Sequence, residues 1–122
     1  MFQFISNLNV KAQLRDIDLT IEKQDDLILY FLKDFKEHKL EYNGWPMLVS
    51  AYKILKATVN AYTRILARKY PKFCINCVHF GFVKIDITLN TGVFMHEEAA
   101  RGPVMLALLL DGGPSGSFFN QT

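Results

Sequence analysis

Tyr52 and Lys56 stand one helical turn apart in the stretch Ser50-Ala51-Tyr52-Lys53-Ile54-Leu55-Lys56. On a helix, side chains four residues apart leave the same face. A free phenol, with a pKa of about 10, is a poor acid near neutrality. A neighbouring ammonium stabilises a phenolate and eases release of the proton. The pair is therefore suited to hand over a proton and take it back, which is what general acid–base catalysis requires. The same spacing also fits a boundary tyrosine beside a solvated lysine, and spacing alone does not separate the two.

The other reactive side chains point to less. Cys74 and Cys77 are the only cysteines and form a Cys-x-x-Cys pair. Redox pairs of that spacing sit at a helix N-terminus, which lowers a thiol pKa, whereas Phe73-Cys74-Ile75-Asn76-Cys77-Val78 reads as a strand. Positions three apart on a strand face opposite ways, and two cysteines are too few for a zinc site. They read as reduced structural cysteines of a cytosolic protein. His38, His79 and His96 have no cysteine or carboxylate at ligand spacing on a shared helix face, so no metal site is expected; His38 and His96 read as solvated.

The elements that must position Tyr52 and Lys56 follow from periodicity. Asn43-Gly44-Trp45-Pro46 is a break, since Pro46 biases Trp45 away from helix. A helix is expected over 48–70, with Val49, Tyr52, Leu55, Val59, Tyr62 and Leu66 as one stripe, Arg64, Arg68 and Lys69 toward water, and Pro71 as the stop. Upstream, Phe2 to Ile5 is a short apolar run and 6–18 reads as a loop with at most one helical turn. Asp18-Leu19-Thr20 offers helix caps, and Leu27, Ile28, Phe31, Leu32 and Phe35 recur at helical spacing, so an amphipathic helix is expected over 20–39. Its acidic first turn argues against a membrane-surface helix.

Downstream, 73–80 is rich in β-branched and aromatic residues and suits a buried strand of a parallel sheet. The segment 82–94 is then a loop beyond a strand's C-terminal end, where ligands of open α/β sheets bind. A helix follows over 97–109, with Gly102-Pro103 inside it as a break or kink, then turn chemistry at Asp111-Gly112-Gly113-Pro114 and a parallel strand over 115–119. Strand, helix, strand order is the mark of an α/β layer fold. Half of the 122 residues are hydrophobic and 21% are charged, which suits one small globular domain. A net charge of +2 and the lack of a Lys/Arg patch argue against nucleic acid. The longest apolar run, Val104 to Leu110, is far short of the roughly 20 residues a spanning helix needs.

The order of motifs carries a resemblance. Gly44-Trp45-Pro46, Ser50-Ala51-Tyr52-Lys53, Lys56-Ala57, Asn60-Ala61-Tyr62-Thr63-Arg64, Lys69-Tyr70-Pro71, Ile75-Asn76-Cys77-Val78, Gly81-Phe82-Val83-Lys84 and Asp111-Gly112-Gly113-Pro114-Ser115-Gly116 follow one another along nearly the whole chain. This resembles the short-chain dehydrogenase/reductase family, of the plant carbonyl reductase type that includes neomenthol dehydrogenases, menthone reductases and salutaridine reductases. The resemblance implies the C-terminal portion of a Rossmann-like, doubly wound parallel α/β sheet without its N-terminal dinucleotide-binding half. It treats 1–122 as a single partial domain, with 18–40 as an insertion helix and 48–70 as the helix bearing Tyr-x-x-x-Lys.

By the same resemblance, Tyr52 and Lys56 are the catalytic pair of an NADP(H)-dependent oxidoreductase interconverting a small ketone or aldehyde and an alcohol. Tyr52 gives a proton to the carbonyl oxygen; Lys56 holds the nicotinamide ribose and assists Tyr52. Tyr52, Lys56, Gly81 and Val83 are the cofactor contacts. The family pattern after the strand, Pro-Gly-x-Val-x-Thr, reads here Phe80-Gly81-Phe82-Val83-Lys84-Ile85, so Gly81 and Val83 match while Ile85 has no hydroxyl. His79 ends the strand at that edge, within reach of cofactor or substrate. Ser6 is not taken as the family's catalytic serine, and none of the seven glycines forms a dinucleotide fingerprint between a strand and a helix. The resemblance further implies a cytoplasmic, monomeric parent, its dimer surface covered by the 18–40 helix. The alternative reading is a truncated, inactive fragment that is inert, self-associates or joins another chain.

Overall fold

Asn7 begins the first helix by accepting a hydrogen bond from the Val10 amide at 3.0 Å. The computed structural model describes residues 2–109 and 111–120. After a 3-10 turn at Phe2–Phe4 come helices α1 (Leu8–Arg15), α2 (Ile21–Lys36) and α3 (Ser50–Lys69). Strand β1 (Cys77–His79), a 3-10 turn at Asp86–Thr88, helix α4 (His96–Ala107) and strand β2 (Phe118–Asn120) complete the order. The chain divides into two compact units, Met1–Ile65 and Leu66–Thr122.

The first unit is organised by apolar burial. Ile5, Val10, Leu14, Leu19, Leu27, Phe31, Trp45, Ile54, Ala57, Ala61 and Ile65 form one buried cluster. Each large side chain buried this way contributes about 1.5–3 kcal/mol. Thr20 caps α2 by accepting from the Lys23 amide at 3.2 Å, as the Asp18-Leu19-Thr20 signal implies. Gly44 closes the segment that leads from α2 to α3. Its φ is +73°, and a Cβ there would fall 2.7 Å from the Asn7 amide nitrogen. That close approach lets the Gly44 carbonyl accept from the amides of both Ser6 and Asn7 at 2.9 Å.

Three expectations for this unit are corrected. The segment expected as a loop contains α1, whose apolar signal is thin because only Val10 and Leu14 are buried. The stripe read for 48–70 lies outward: Tyr52, Leu55, Val59 and Tyr62 are exposed. The buried face of α3 is instead lined by Ser50, Ile54, Ala57, Ala61 and Ile65, whose small members permit close approach. Arg64, placed toward water, turns inward to donate to the carbonyls of Leu14 and Arg15, orphan acceptors at the end of α1.

The second unit holds the sheet. β1 and β2 pair in parallel, Cys77 with Phe118 and His79 with Asn120, as the α/β reading requires. The strand expected over 73–80 is shorter, and it is half-buried to exposed rather than buried. Before Cys77, the Gly116 amide still donates to the Ile75 carbonyl at 2.7 Å, and side chains supply the other contacts. Ser115 Oγ accepts from the Ile75 amide at 3.0 Å and donates to the Phe73 carbonyl at 3.2 Å, and Asn76 donates to the Pro114 carbonyl at 2.8 Å. β2 accordingly starts at Phe118 rather than Ser115. α4 begins where the Glu98 carboxylate accepts from the Met95 amide at 3.0 Å, and it continues past Pro103 to Ala107, so Gly102-Pro103 does not break it.

Candidate active site

The first unit presents Tyr52 and Lys56 on the open side of α3. The Lys56 ammonium lies 5.5 Å from the centroid of the Tyr52 ring. Lys53 is engaged elsewhere, its ammonium 4.4 Å over the Phe4 ring. Of the two lysines near Tyr52 in sequence, Lys56 is therefore the one that attends the phenol. Tyr52 is 57% exposed, and among the described residues its hydroxyl has no hydrogen-bond partner. The face that carries the pair is available for a ligand because the opposite, small-residue face of α3 takes part in the core. Entry to α3 is strained: Val49, three residues before Tyr52, has φ +44°, a left-handed conformation that a β-branched residue rarely adopts.

The second unit presents Gly81 and Val83 at the start of a closed loop. His79 is exposed at the end of β1, two residues before Gly81. Its Nδ1 accepts from the Gly81 amide at 3.1 Å, and its ring stacks on Phe80. Val83 is buried and bridges to Phe94; the Lys84 amide donates to the Phe94 carbonyl at 2.9 Å. The expected loop over 82–94 is thus present, and both its ends are tied. The Phe82 carbonyl accepts from the amides of Val93 and Phe94 at 2.7 and 3.1 Å.

Two residues that sequence reasoning missed hold the Val83 peptide. A Cβ on Gly92 would fall 2.1 Å from the Val83 carbonyl carbon, so only glycine fits there. The Thr88 hydroxyl donates to the Val83 carbonyl at 2.6 Å and accepts from the Ile85 amide at 3.1 Å. The available signal was weak: a Thr88-x-x-Thr91-Gly92 turn pattern after the strand.

The remaining candidates are disposed simply. Cys74 is exposed and Cys77 half-buried, and among the described residues neither is in a disulfide. Cys74 precedes β1, and the two sulfurs lie 3.7 and 3.8 Å from the Gly113 and Ser117 carbonyls respectively. Among the described residues no His, Cys, Asp and Glu cluster could hold a metal ion. His38 is exposed, and His96 lies 2.8 Å from the Glu97 carboxylate. No helix is long and apolar enough to cross a membrane among the described residues.

Comparison with known proteins gives a consistent picture. No protein-family model matches the chain. It is 50% identical over 113 residues to short-chain dehydrogenase/reductase 1 of Saponaria officinalis, covering 92% of this chain and 37% of the relative. It is 52% identical over 110 residues to (-)-isopiperitenone reductase of Mentha piperita, covering 89% of this chain and 35% of the relative. A more distant mouse relative, 38% identical over 102 residues, is named carbonyl reductase [NADPH] 3; 79% of this chain and 34% of that protein align. Among solved structures, salutaridine reductase from Papaver somniferum matches with a TM-score of 0.91 at 45% identity, covering 98% of this chain and 41% of that one. The chain thus spans little more than a third of the length of the curated relatives it matches.

Proposed function

We propose, for a chain homologous over nearly its whole length to plant short-chain dehydrogenases/reductases, that it carries the proton-transferring helix and the nicotinamide-facing loop of an NADP(H)-dependent carbonyl reductase. The reaction interconverts a small ketone or aldehyde and the corresponding alcohol. Tyr52 is the proton donor to the carbonyl oxygen. Lys56 binds the ribose beside the reacting ring, and its charge stabilises the phenolate that proton transfer leaves behind. The backbone at Gly81 and Val83 orients the carboxamide. A bound reduced nicotinamide supplies the hydride.

One observation carries the reading: the Lys56 ammonium attends the Tyr52 ring on an exposed helix face, with no hydrogen-bond partner for the phenol hydroxyl among the described residues. The names of the relatives support the chemistry, since they include an isopiperitenone reductase and an NADPH-specified carbonyl reductase. The residues present fit the nicotinamide end of such a cofactor. They do not fit its pyrophosphate, because Gly112, Gly113 and Gly116 lie in the turn before β2 and no glycine-rich turn joins a strand to a helix N-terminus. A second reading, a fragment that is inert or associates with another chain, has the exposed stripe of Tyr52, Leu55, Val59 and Tyr62 in its favour.

The test joins these 122 residues in frame to the portion of salutaridine reductase outside the match and follows NADPH oxidation by a ketone. Tyr52→Phe is expected to lower kcat/KM by roughly 10²- to 10⁴-fold, the range of a lost general acid. Lys56→Ala should raise the KM for NADPH and lower kcat together. The unjoined chain serves as the control and is expected to bind NADPH weakly and oxidise none. Full turnover in the Tyr52→Phe protein would sink the reading.

A further inference from the structure

We infer that Thr88 is the positioning residue that presents the Val83 carbonyl to an amide donor on the ligand, supplying from three residues downstream the hydroxyl that Ile85 lacks. This rests on the nicotinamide reading of the loop. The geometry is local and complete. The peptide joining Val83 to Lys84 is clamped on one side by Gly92, whose backbone comes so close that a Cβ would meet Val83 C at 2.1 Å and Lys84 N at 2.4 Å. On the other side stands the Thr88 hydroxyl. It has one proton to give and two acceptor positions. The Val83 carbonyl at 2.6 Å is a closer acceptor than the Ile85 carbonyl at 2.9 Å, and the Ile85 amide donates back at 3.1 Å.

The backbone is bent to bring Thr88 there. Leu89 and Asn90 both adopt left-handed conformations, φ +51° and +57°, which non-glycine residues seldom take. Thr91 Oγ1 then donates to the Thr88 carbonyl at 2.6 Å and holds the turn. A carbonyl oxygen has two lone pairs. With Thr88 on one, the Val83 oxygen keeps its second in a fixed direction. A group with that vacancy selects a donor, so it favours a pyridine bearing a neutral carboxamide over the same ring bearing a carboxylate, which donates nothing and repels the carbonyl oxygen.

The probes are nicotinamide mononucleotide and nicotinic acid mononucleotide, which differ only in that group and need no pyrophosphate site. Saturation-transfer NMR on the 122-residue chain should show the amide bound about two- to tenfold more tightly, the effect of one neutral hydrogen bond. Thr88→Val should remove the preference, and Thr88→Ser should retain it. Hydrogen exchange of the peptide covering 82–94 should accelerate in Thr88→Val and not in Thr88→Ser. A preference that survives Thr88→Val would overturn the assignment of Thr88 while leaving the nicotinamide reading standing. No preference in the unsubstituted chain would overturn both.

Discussion

Up to Ile65 the chain encloses a continuous apolar cluster of eleven side chains; beyond it, among the described residues, only Val83 and Ala99 are buried apolar residues. The two units are held by different physics. The first is a set of helices closed over Leu14, Phe31, Trp45 and their neighbours, with a buried polar contact from Asp34 of α2 to Trp45 in the segment after it. The second is held by a three-residue parallel ladder and a series of side-chain-to-backbone bonds through Ser115, Asn76 and Thr88, nearly all in reach of water. Val78, Met105, Leu106 and Phe119 surround an open cavity of about 530 Å³. Native interiors seldom leave voids larger than a water molecule, and parallel sheets are normally covered on both faces. The first unit thus contains its own stabilisation, while the second displays the surface of a sheet layer.

The largest expected effect tests that contrast directly. Amide exchange should be slow around Phe31 and Ile54 and fast at Cys77–His79, because protection follows burial and local contact. Phe31→Ala removes a ring packed edge-on to Trp45, with centroids 5.3 Å apart. It should cost about 3–5 kcal/mol and abolish the slow class in the first unit. Equal protection of Cys77–His79 and of α2 would break the comparison.

A smaller effect separates buried from exposed polar contacts. Asp34 is 2% exposed, and its Oδ2 accepts from Trp45 Nε1 at 2.8 Å and Asn43 Nδ2 at 2.7 Å. Asp34→Ala leaves those donors unpaired and should cost about 1–3 kcal/mol, read by urea denaturation through Trp45, the only tryptophan. Ser115→Ala deletes a comparable pair of bonds at an exposed site of the second unit, where water replaces them. Its loss should be about 0.5 kcal/mol or less. Similar costs for the two substitutions would show that burial is not what distinguishes the units.

The same physics decides what was legible in the sequence. Helices with strong punctuation were readable to within a few residues: Thr20 and Pro71 bracket α2 and α3, and the parallel pairing of β1 with β2 follows from strand–helix–strand order. Periodicity located the apolar stripe of α3, but it could not say which way the stripe faces. The face that packs into the core is lined instead by small residues, Ala57 and Ala61, that hydropathy weighs lightly. The strand over 73–80 looked buried because its residue types suit a covered sheet, yet the 122 residues bury only part of it. At the candidate site, Tyr52, Lys56, Gly81 and Val83 could be picked out from spacing and resemblance. The clamp of Thr88 and Gly92 could not, because it depends on consecutive left-handed residues: Asn90 tolerates that conformation, but nothing in Leu89 advertises it.

The smallest expected effect sharpens the description of the first unit at alkaline pH. Tyr30 packs edge-on to Trp45, with centroids 5.3 Å apart, one helical turn from Asp34 on α2. Burial, then the Asp34 charge and a hydrogen bond to its carboxylate, raise the phenol above its ordinary value of 10.0. A raised acid is held protonated by the fold. Its contribution is fully present below pH 10.0 and is lost as pH climbs through the higher folded value. Tyr30 is 37% exposed, so solvent screens the interaction and the loss should be small. Lys39 is likewise raised above its ordinary value, by its contact with Glu37 at 2.5 Å. That pair lies on the surface, and salt near 1 M, with a Debye length of about 3 Å, suppresses it. In high salt, denaturation midpoints read from Trp45 should be level between pH 7 and 9 and decline above 10, and Tyr30→Phe should flatten the decline. An unchanged alkaline decline in Tyr30→Phe would place the titrating group elsewhere and remove Tyr30 from the polar contacts that close the first unit.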